Sequence, residues 1–372
     1  MANEVIWDDN PVNVTTEVNT IWAIANRLRG PYRSDKYKDV IIPMTIIRRL
    51  ECALNPTKKA VLQLLAKNPN TPDLIIQKRT GYPFYNKSRF DLKTLLDDPD
   101  NIADNFRNYL AGFSPVVADI IASLDFDKQI AKMDENNRLY SVVEAFAELD
   151  LNPQTIDNVK MGYIFEDLIR RFSEDAEAGD HYTGRDIVKL MVGILTAEGA
   201  DDVLDDHKVV TVADYACGTG GMLSTTYNYI RHLNPTADVE LFGQEINPES
   251  YAICLAEMLI KGQNPDHIKK CDSMTADSFA EQKMRFVIMN PPFGTAWAGK
   301  EAGEGVEAAV KAEYARGGVI PVFRPDCLQG AICSSYSCRR RCRSSTAPRA
   351  GRRLSKTARR YLLAEYRRAK AR

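Results

Sequence analysis

The sequence predicts an α/β chain, and three observations carry that reading. Helical periodicity dominates the first 150 residues, strand-like runs alternate with helical ones from about 160 to 290, and composition changes abruptly at Pro321. The chain therefore divides into a helical N-terminal domain (1–150), the first part of an open parallel-sheet domain (151–321) and a basic Cys/Arg-rich tail (322–372).

In the first part, "NTIWAIANRLRG" places Ile21, Ile24, Ala25 and Leu28 on one helical stripe. "DVIIPMTIIRRLECAL" continues with Ile41, Ile42, Met44, Ile46, Ile47 and Leu50, and loops such as "KNPNTPD" and "DDPDN" punctuate the rest. No paired carboxylates, metal-ligand spacing or internal repeat stand out, so this domain reads as a scaffold.

From about 160 the order changes. "MGYIFEDLIRRFSED" and "GRDIVKLMVGIL" read as helices, "KVVTVADYACG" as a strand ending in a Gly-rich turn, and "GGMLSTTYNYIRHL" as the helix after it. "DVELFGQEIN" is a second strand, "PESYAICLAEMLIKG" a helix with Pro248 near its first turn, and "HIKKCDSM" and "RFVIMN" two further strands. This β-α-β-α-β-β order implies parallel strands with crossover helices, and such sheets bind ligands beyond their carboxyl ends. The unusual residues fall there: Asp214 to Gly221, Glu245, Asp272, and Asn290 to Phe293.

The turn "DYACGTGG" includes Ala216, Gly218 and Gly220. A phosphate-cradling P-loop would end in Gly-Lys-Ser/Thr, and no such lysine is present. A dinucleotide fingerprint would need glycine at position 223, which is Leu223. S-adenosylmethionine fits better. Asp214 suits its ammonium, Glu245 can accept from two ribose hydroxyls, and Asp272 from the adenine amine. The plainer alternative is a structural turn, which explains the glycines but not three acids at successive strand ends.

"FVIMNPPFGTAW" then delivers Asn290, Pro291, Pro292 and Phe293 to one place. The exocyclic amine of a base is a poor nucleophile because its lone pair is delocalised into the ring. Accepting both N–H protons draws the nitrogen toward sp³ geometry. Asn290 supplies a side-chain carbonyl and Pro291 a backbone carbonyl, while the paired prolines stiffen the turn. Phe293 offers a face for a base extruded from its helix. The alternative is a proline turn closing a core strand.

In order, "GDHYTGRDIV" (179–188), "DYACGTGG", "GQEIN", "CDS" and "NPPFG" resemble the motifs of N6-adenine DNA methyltransferases, in particular the modification subunit of type I restriction–modification systems. "IWAIANRLRG…YKDVIIPMTIIRRL" is similar to that subunit's N-terminal domain, so the resemblance spans about 15–320. It implies a Rossmann-like S-adenosylmethionine-dependent domain that is incomplete here. It further implies that Gly179, Tyr182 and Thr183 hold the methionine end of the cofactor. Where the family has Thr-Pro, this chain has Thr183-Gly184. The implied partners are double-stranded DNA, a DNA specificity subunit, a restriction subunit and a second modification subunit. Two other functions remain in view: methylation of another planar amide such as glutamine, and a truncated chain that only binds partner subunits.

Charge supports a division of labour. Of 49 Lys/Arg and 50 Asp/Glu, 15 and 2 lie in 322–372, leaving 34 basic against 48 acidic residues in 1–321. A body near −14 neutralises few phosphates, which agrees with base reading by another chain. No run of about 20 apolar residues is present, and "MANEVIWDDNPVNV" lacks a basic stretch followed by an apolar one. A cytoplasmic protein without a membrane span or metal site is expected.

The tail, at +13, reads differently. Cys327, Cys333, Cys338 and Cys342 contain no Cys-x-x-Cys pair, which argues against a zinc module. A basic DNA-binding arm is one alternative. A shifted frame is the favoured one: permitted codons for Pro321–Cys342, read one register over, give Gly-Phe-Pro-Pro-Gly-Leu-Pro-Ala and then an Asp followed by an apolar run, the continuation that the resemblance implies. Read that way, the tail is not a folded element, and the strand ending at Asn290 becomes an unpaired edge.

Overall fold

The computed structural model describes residues 12–173, 183–196, 201–290, 304–315 and 331–334. The chain separates into two compact units. A helical unit takes residues 9–178 together with 252–265, and a sheet unit takes 1–8, 179–251 and 266–372.

The helical unit carries α1 (Thr15–Ala25), α2 (Lys38–Lys67), α3 (Asp73–Thr80), α4 (Ile102–Ala111), α5 (Pro115–Ser123), α6 (Phe126–Glu135), α7 (Leu139–Glu148) and α8 (Asn158–Ser173). The stripe Ile21, Ile24, Ala25 and Leu28 is buried as its spacing predicts, and so are Ile41, Ile42, Met44, Ile46, Ile47 and Leu50 of α2. Helix α2 runs through Pro43 and Pro56, and beside Pro56 the Thr57 hydroxyl donates to Leu54 O (3.0 Å).

Arg49 is the largest fully buried side chain of α2. Its guanidinium donates to Leu151 O and Ile156 O, both at 2.7 Å, and to Asn158 Oδ1 at 2.9 Å. One side chain thus ties the segment leading into α8 back to the centre of α2. Both terminal nitrogens of this buried guanidinium are bonded, while its Nε has no partner among the described residues.

The sheet unit contains α9 (Arg185–Leu195), β1 (Val209–Asp214), α10 (Gly221–Leu233), β2 (Asp238–Glu245), β3 (Ile268–Lys270), β4 (Phe286–Met289), α12 (Val306–Ala315) and β5 (Ala331–Ser334). Helix α11 (Pro248–Ile260) crosses the division, its residues from Ala252 onward grouping with the helices. The strand order is β3-β2-β1-β4-β5. Pairings β1–β2, β1–β4 and β2–β3 are parallel, with Asp214 opposite Gly243 and Glu245 opposite Lys270. The alternation read from the sequence is therefore realised as a parallel sheet with crossovers.

A compact cluster, Ala213, Phe242, Phe279, Met284 and Val287, lies under the strand ends, with Phe242 and Phe279 edge-to-face at 5.2 Å. On α9 the buried Val188, Met191, Val192 and Leu195 follow helical spacing, and the helix packs on α10 and β4.

The far edge departs from expectation. Strand β4 is not an unpaired edge, because β5 pairs with it antiparallel, with Val287 opposite Cys333 and Ile288 opposite Ile332. The backbone groups of an apolar strand need partners, and the short run Ala331–Ser334 supplies them. The rest of the basic tail (322–330 and 335–372) lies outside the described residues. No described helix is long and apolar enough to cross a membrane.

Replacing Arg49 with methionine keeps the apolar stem and leaves three acceptors unserved. The expected loss is about 2–4 kcal/mol in urea unfolding of the full chain. An unchanged midpoint would show that the tie to Leu151 and Ile156 contributes nothing.

Candidate active site at the strand ends

Four strands deliver their chemistry to one edge. Asp214 is the last residue of β1 and Glu245 the last of β2; Asp272 lies two residues beyond β3 and Asn290 one beyond β4. The parallel registers place these ends side by side.

The glycine turn between β1 and α10 is held by backbone bonds. Cys217 N donates to Gln244 O (3.0 Å) and Gly220 N to Cys217 O (2.8 Å). Gly218 and Gly220 have φ of 54° and 85°, the left-handed region that side chains rarely adopt. Gly243 of β2 passes so close beneath that an added Cβ would meet Cys217 Sγ at 3.0 Å and Ile268 Cδ1 at 3.1 Å. The turn is thus pressed onto the second strand, and its Gly218 N–H faces the carboxylate at that strand's end.

Glu245 receives one backbone N–H from the turn and one from Asn247. Its Oε2 accepts from Gly218 N and its Oε1 from Asn247 N, each at 2.8 Å. Each oxygen keeps a second lone pair, so the carboxylate is oriented and can still accept from a pair of hydroxyls. Asp272 Oδ1 accepts from Met274 N (2.9 Å), which fixes its turn.

Asp214 is buried. Its Oδ1 accepts from Ala216 N (2.9 Å), while Oδ2 has no hydrogen-bond partner among the described residues. Burial pushes its carboxyl up to about 7; the Ala216 N–H opposes the rise and the Glu245 charge adds to it. A buried, unpartnered carboxylate oxygen beside a second carboxylate is a place for a cation to settle.

Two supporting residues escape sequence reasoning. Gln244 is fully buried; its Nε2 donates to Ser273 Oγ (2.9 Å) and Ala276 O (3.1 Å), and its Oε1 accepts from Ser278 N (2.8 Å). Ser273 Oγ in turn donates to Tyr215 O (2.6 Å). This network joins the Asp272 loop to the ends of β1 and β2. The available signal was alternation: a polar Gln244 on the face opposite Glu245 demands buried partners.

Thr183 accepts a hydrogen bond from Asn290 Nδ2 at 2.9 Å. Gly179, Tyr182, Pro291, Pro292 and Phe293 lie outside the described residues. No group of metal-ligating side chains occurs among the described residues.

An open parallel sheet with a glycine turn after its first strand and a carboxylate closing its second is a Rossmann-like fold of the methyltransferase class. Residues 157–321 match the family model described as N-6 DNA Methylase, and residues 18–146 match the HsdM N-terminal domain. The chain thus carries a segment similar to the HsdM N-terminal domain followed by one similar to N-6 DNA methylases. The MjaIX methylase subunit of Methanocaldococcus jannaschii is 24% identical over 294 residues, 74% of this chain and 50% of the relative. The HindI methylase subunit of Haemophilus influenzae is 30% identical over 137 residues, 36% of this chain and 29% of the relative. The chain thus spans half or less of these curated relatives. A crystal structure of the type I restriction-modification system methyltransferase subunit from Streptococcus thermophilus shares the fold. It has a TM-score of 0.57 and 20% identity, over 76% of this chain and 64% of that one.

The Asp214 carboxyl makes stability pH-dependent in the ligand-free protein. Its folded value of about 7 lies above the ordinary 3.8, so the folded state holds the extra proton between those values. Stability therefore falls as pH rises from about 4 to 7 and levels off above. Asp214→Asn should flatten that slope and raise the melting temperature at pH 8. Thermal unfolding across pH 5–8 checks it, and an unchanged slope would show that this carboxyl does not set it.

Proposed function

We propose that the chain transfers a methyl group from S-adenosylmethionine to the N6 amine of adenine in double-stranded DNA, as the modification subunit of a type I restriction–modification assembly. The observation that carries the reading is the unpartnered Asp214 Oδ2, buried beside a glycine turn held by Glu245 and on the same sheet edge as Asn290. The names of the relatives, type I restriction enzyme methylase subunits, support the substrate and the assembly.

The described residues suit the cofactor. Asp214 Oδ2 would take its ammonium, Glu245 its ribose hydroxyls and Asp272 its adenine amine, and the open face above Gly221 leaves the backbone accessible. When bound, S-adenosylmethionine supplies an electrophilic methyl group on a positive sulfonium. The chain's own task is at the amine. Asn290 Oδ1 and the Pro291 carbonyl accept its two N–H protons and raise the nucleophilicity of the nitrogen, and Phe293 stacks on the extruded base. Because this polarisation grows toward the transition state, it acts on kcat more than on binding. In this reading Gly179, Tyr182 and Thr183 hold the methionine end. Sequence recognition comes from a specificity subunit, cleavage from a restriction subunit, and a second modification subunit completes the assembly.

A second reading rests on one coincidence. The N-6 DNA Methylase match ends at residue 321, where the charge changes sign. If the tail is read out of frame, the chain acts through subunit binding alone. Sequencing the gene around codon 321, with mass spectrometry of the natural product, decides between them.

Glu245→Ala removes two charge-assisted acceptors, each worth roughly 1.5–3 kcal/mol, so S-adenosylmethionine affinity should fall at least about a hundredfold. Asn290→Ala should keep that affinity and lose methyl transfer to adenine in the assembled complex. Calorimetry that finds Glu245→Ala binding normally would remove the cofactor assignment; near-normal turnover by Asn290→Ala would remove the catalytic one.

A further inference from the structure

We infer that Thr183 is a positioning residue for Asn290: its hydroxyl accepts from the amide NH₂ and anchors the side chain with Oδ1 left free to face the target amine. The inference rests on the methylation reading above for its consequence, but on geometry for its substance. Asn290 Nδ2 donates to Thr183 Oγ1 at 2.9 Å across 107 positions of sequence.

A carboxamide has two nearly isosteric ends with opposite hydrogen-bonding character. The oxygen accepts and the nitrogen donates, and a half-turn of χ2 exchanges them. For an amine substrate only the oxygen end is useful. The NH₂ end would present donors to donors and leave the nitrogen lone pair delocalised. Asn290 therefore acts on an amine only while its NH₂ end is held elsewhere. The Thr183 hydroxyl, which can donate as well as accept, accepts from that end here and so restrains the side chain in the useful orientation.

Thr183 is well placed to hold a direction. Its β-branch restricts χ1 to few rotamers. It stands one residue before the N-cap of α9, Gly184, and Ile187 N and Val188 N both bond back to Gly184 O. Helix α9 is seated by the buried Val188, Met191, Val192 and Leu195 and packs on β4, the strand that ends at Asn290. The hydroxyl and the amide are therefore carried by two elements already in contact. The same geometry gives Thr183, beside the cofactor role that the resemblance implies, a place next to Asn290.

The test uses the full chain with Thr183→Val and Thr183→Ser. With selectively ¹⁵N-asparagine-labelled protein, the Asn290 side-chain amide signal, identified by its loss in Asn290→Asp, should shift in Thr183→Val and return in Thr183→Ser. Calorimetry measures any part Thr183 takes in S-adenosylmethionine binding, so that rates are compared at saturating cofactor. In the complex with its DNA-specificity partner, single-turnover methyl transfer at saturating cofactor should fall about five- to tenfold in Thr183→Val, the range expected for one neutral hydrogen bond, and recover in Thr183→Ser. An Asn290 signal indifferent to Thr183→Val overturns the inference, as does a variant that loses cofactor affinity while keeping its rate at saturation. A wild-type complex that transfers no methyl group refutes the methylation reading, and the amide signal still decides the link between Thr183 and Asn290.

Discussion

The carboxylate of Glu245 receives one backbone N–H from the glycine turn after β1 and another from the residue that leads into α11, each at 2.8 Å. Much of the candidate site depends on that arrangement. The turn needs Gly218 and Gly220 in left-handed conformations and needs Gly243 beneath it without a side chain. Those constraints bring the turn's donors within reach, and Glu245 converts them into a fixed orientation of its own oxygens. The cost is electrostatic. A second carboxylate, that of Asp214, is buried near the first and is pushed toward its neutral form. A ligand carrying positive charge relieves both the burial and the repulsion, so the ligand-free site is poised for a cation by the same packing that shapes it.

Much of this was legible in the sequence, because the signals are local. Apolar alternation and flanking turns placed β1, β2 and β4, and helical spacing placed α1, α9 and α10. The acids stand out because they interrupt apolar runs at strand ends. What was not legible is pairing across long separations. The bond between Thr183 and Asn290 joins residues 107 apart, and the Gln244 network reaches about 30 residues ahead. Neither spacing is a period of any element. Arg49 is a further case: an arginine on a helix reads as a solvated charge until Leu151 and Ile156 are folded back against it.

The two halves of the site are supported by different means. The part around Glu245 is held by backbone geometry, with glycines, strand registers and carboxylates that accept from main-chain N–H groups. The part around Asn290 is held by side chains on separate elements: a hydroxyl before α9 and an amide after β4. Backbone-held parts tolerate changes in side chains around them, provided the glycines remain. Side-chain-held parts depend on the packing of α9 against β4, so buried positions such as Val188 and Val192 have indirect influence on the amide's aim.

The far side of β4 follows a related logic. The strand pairs with β1 through Phe286 and Val287 and with β5 through all four of its residues. The β5 residues lie beyond position 321, where the family match ends and the composition turns basic. A ladder of this kind asks only for backbone donors and acceptors, which any non-proline run provides. Pairing therefore occurs although the surrounding sequence shares nothing with the pattern of the first 321 residues. The placement of Asn290 depends on how firmly β4 is held, and on this side main-chain pairing with β5 contributes to the hold.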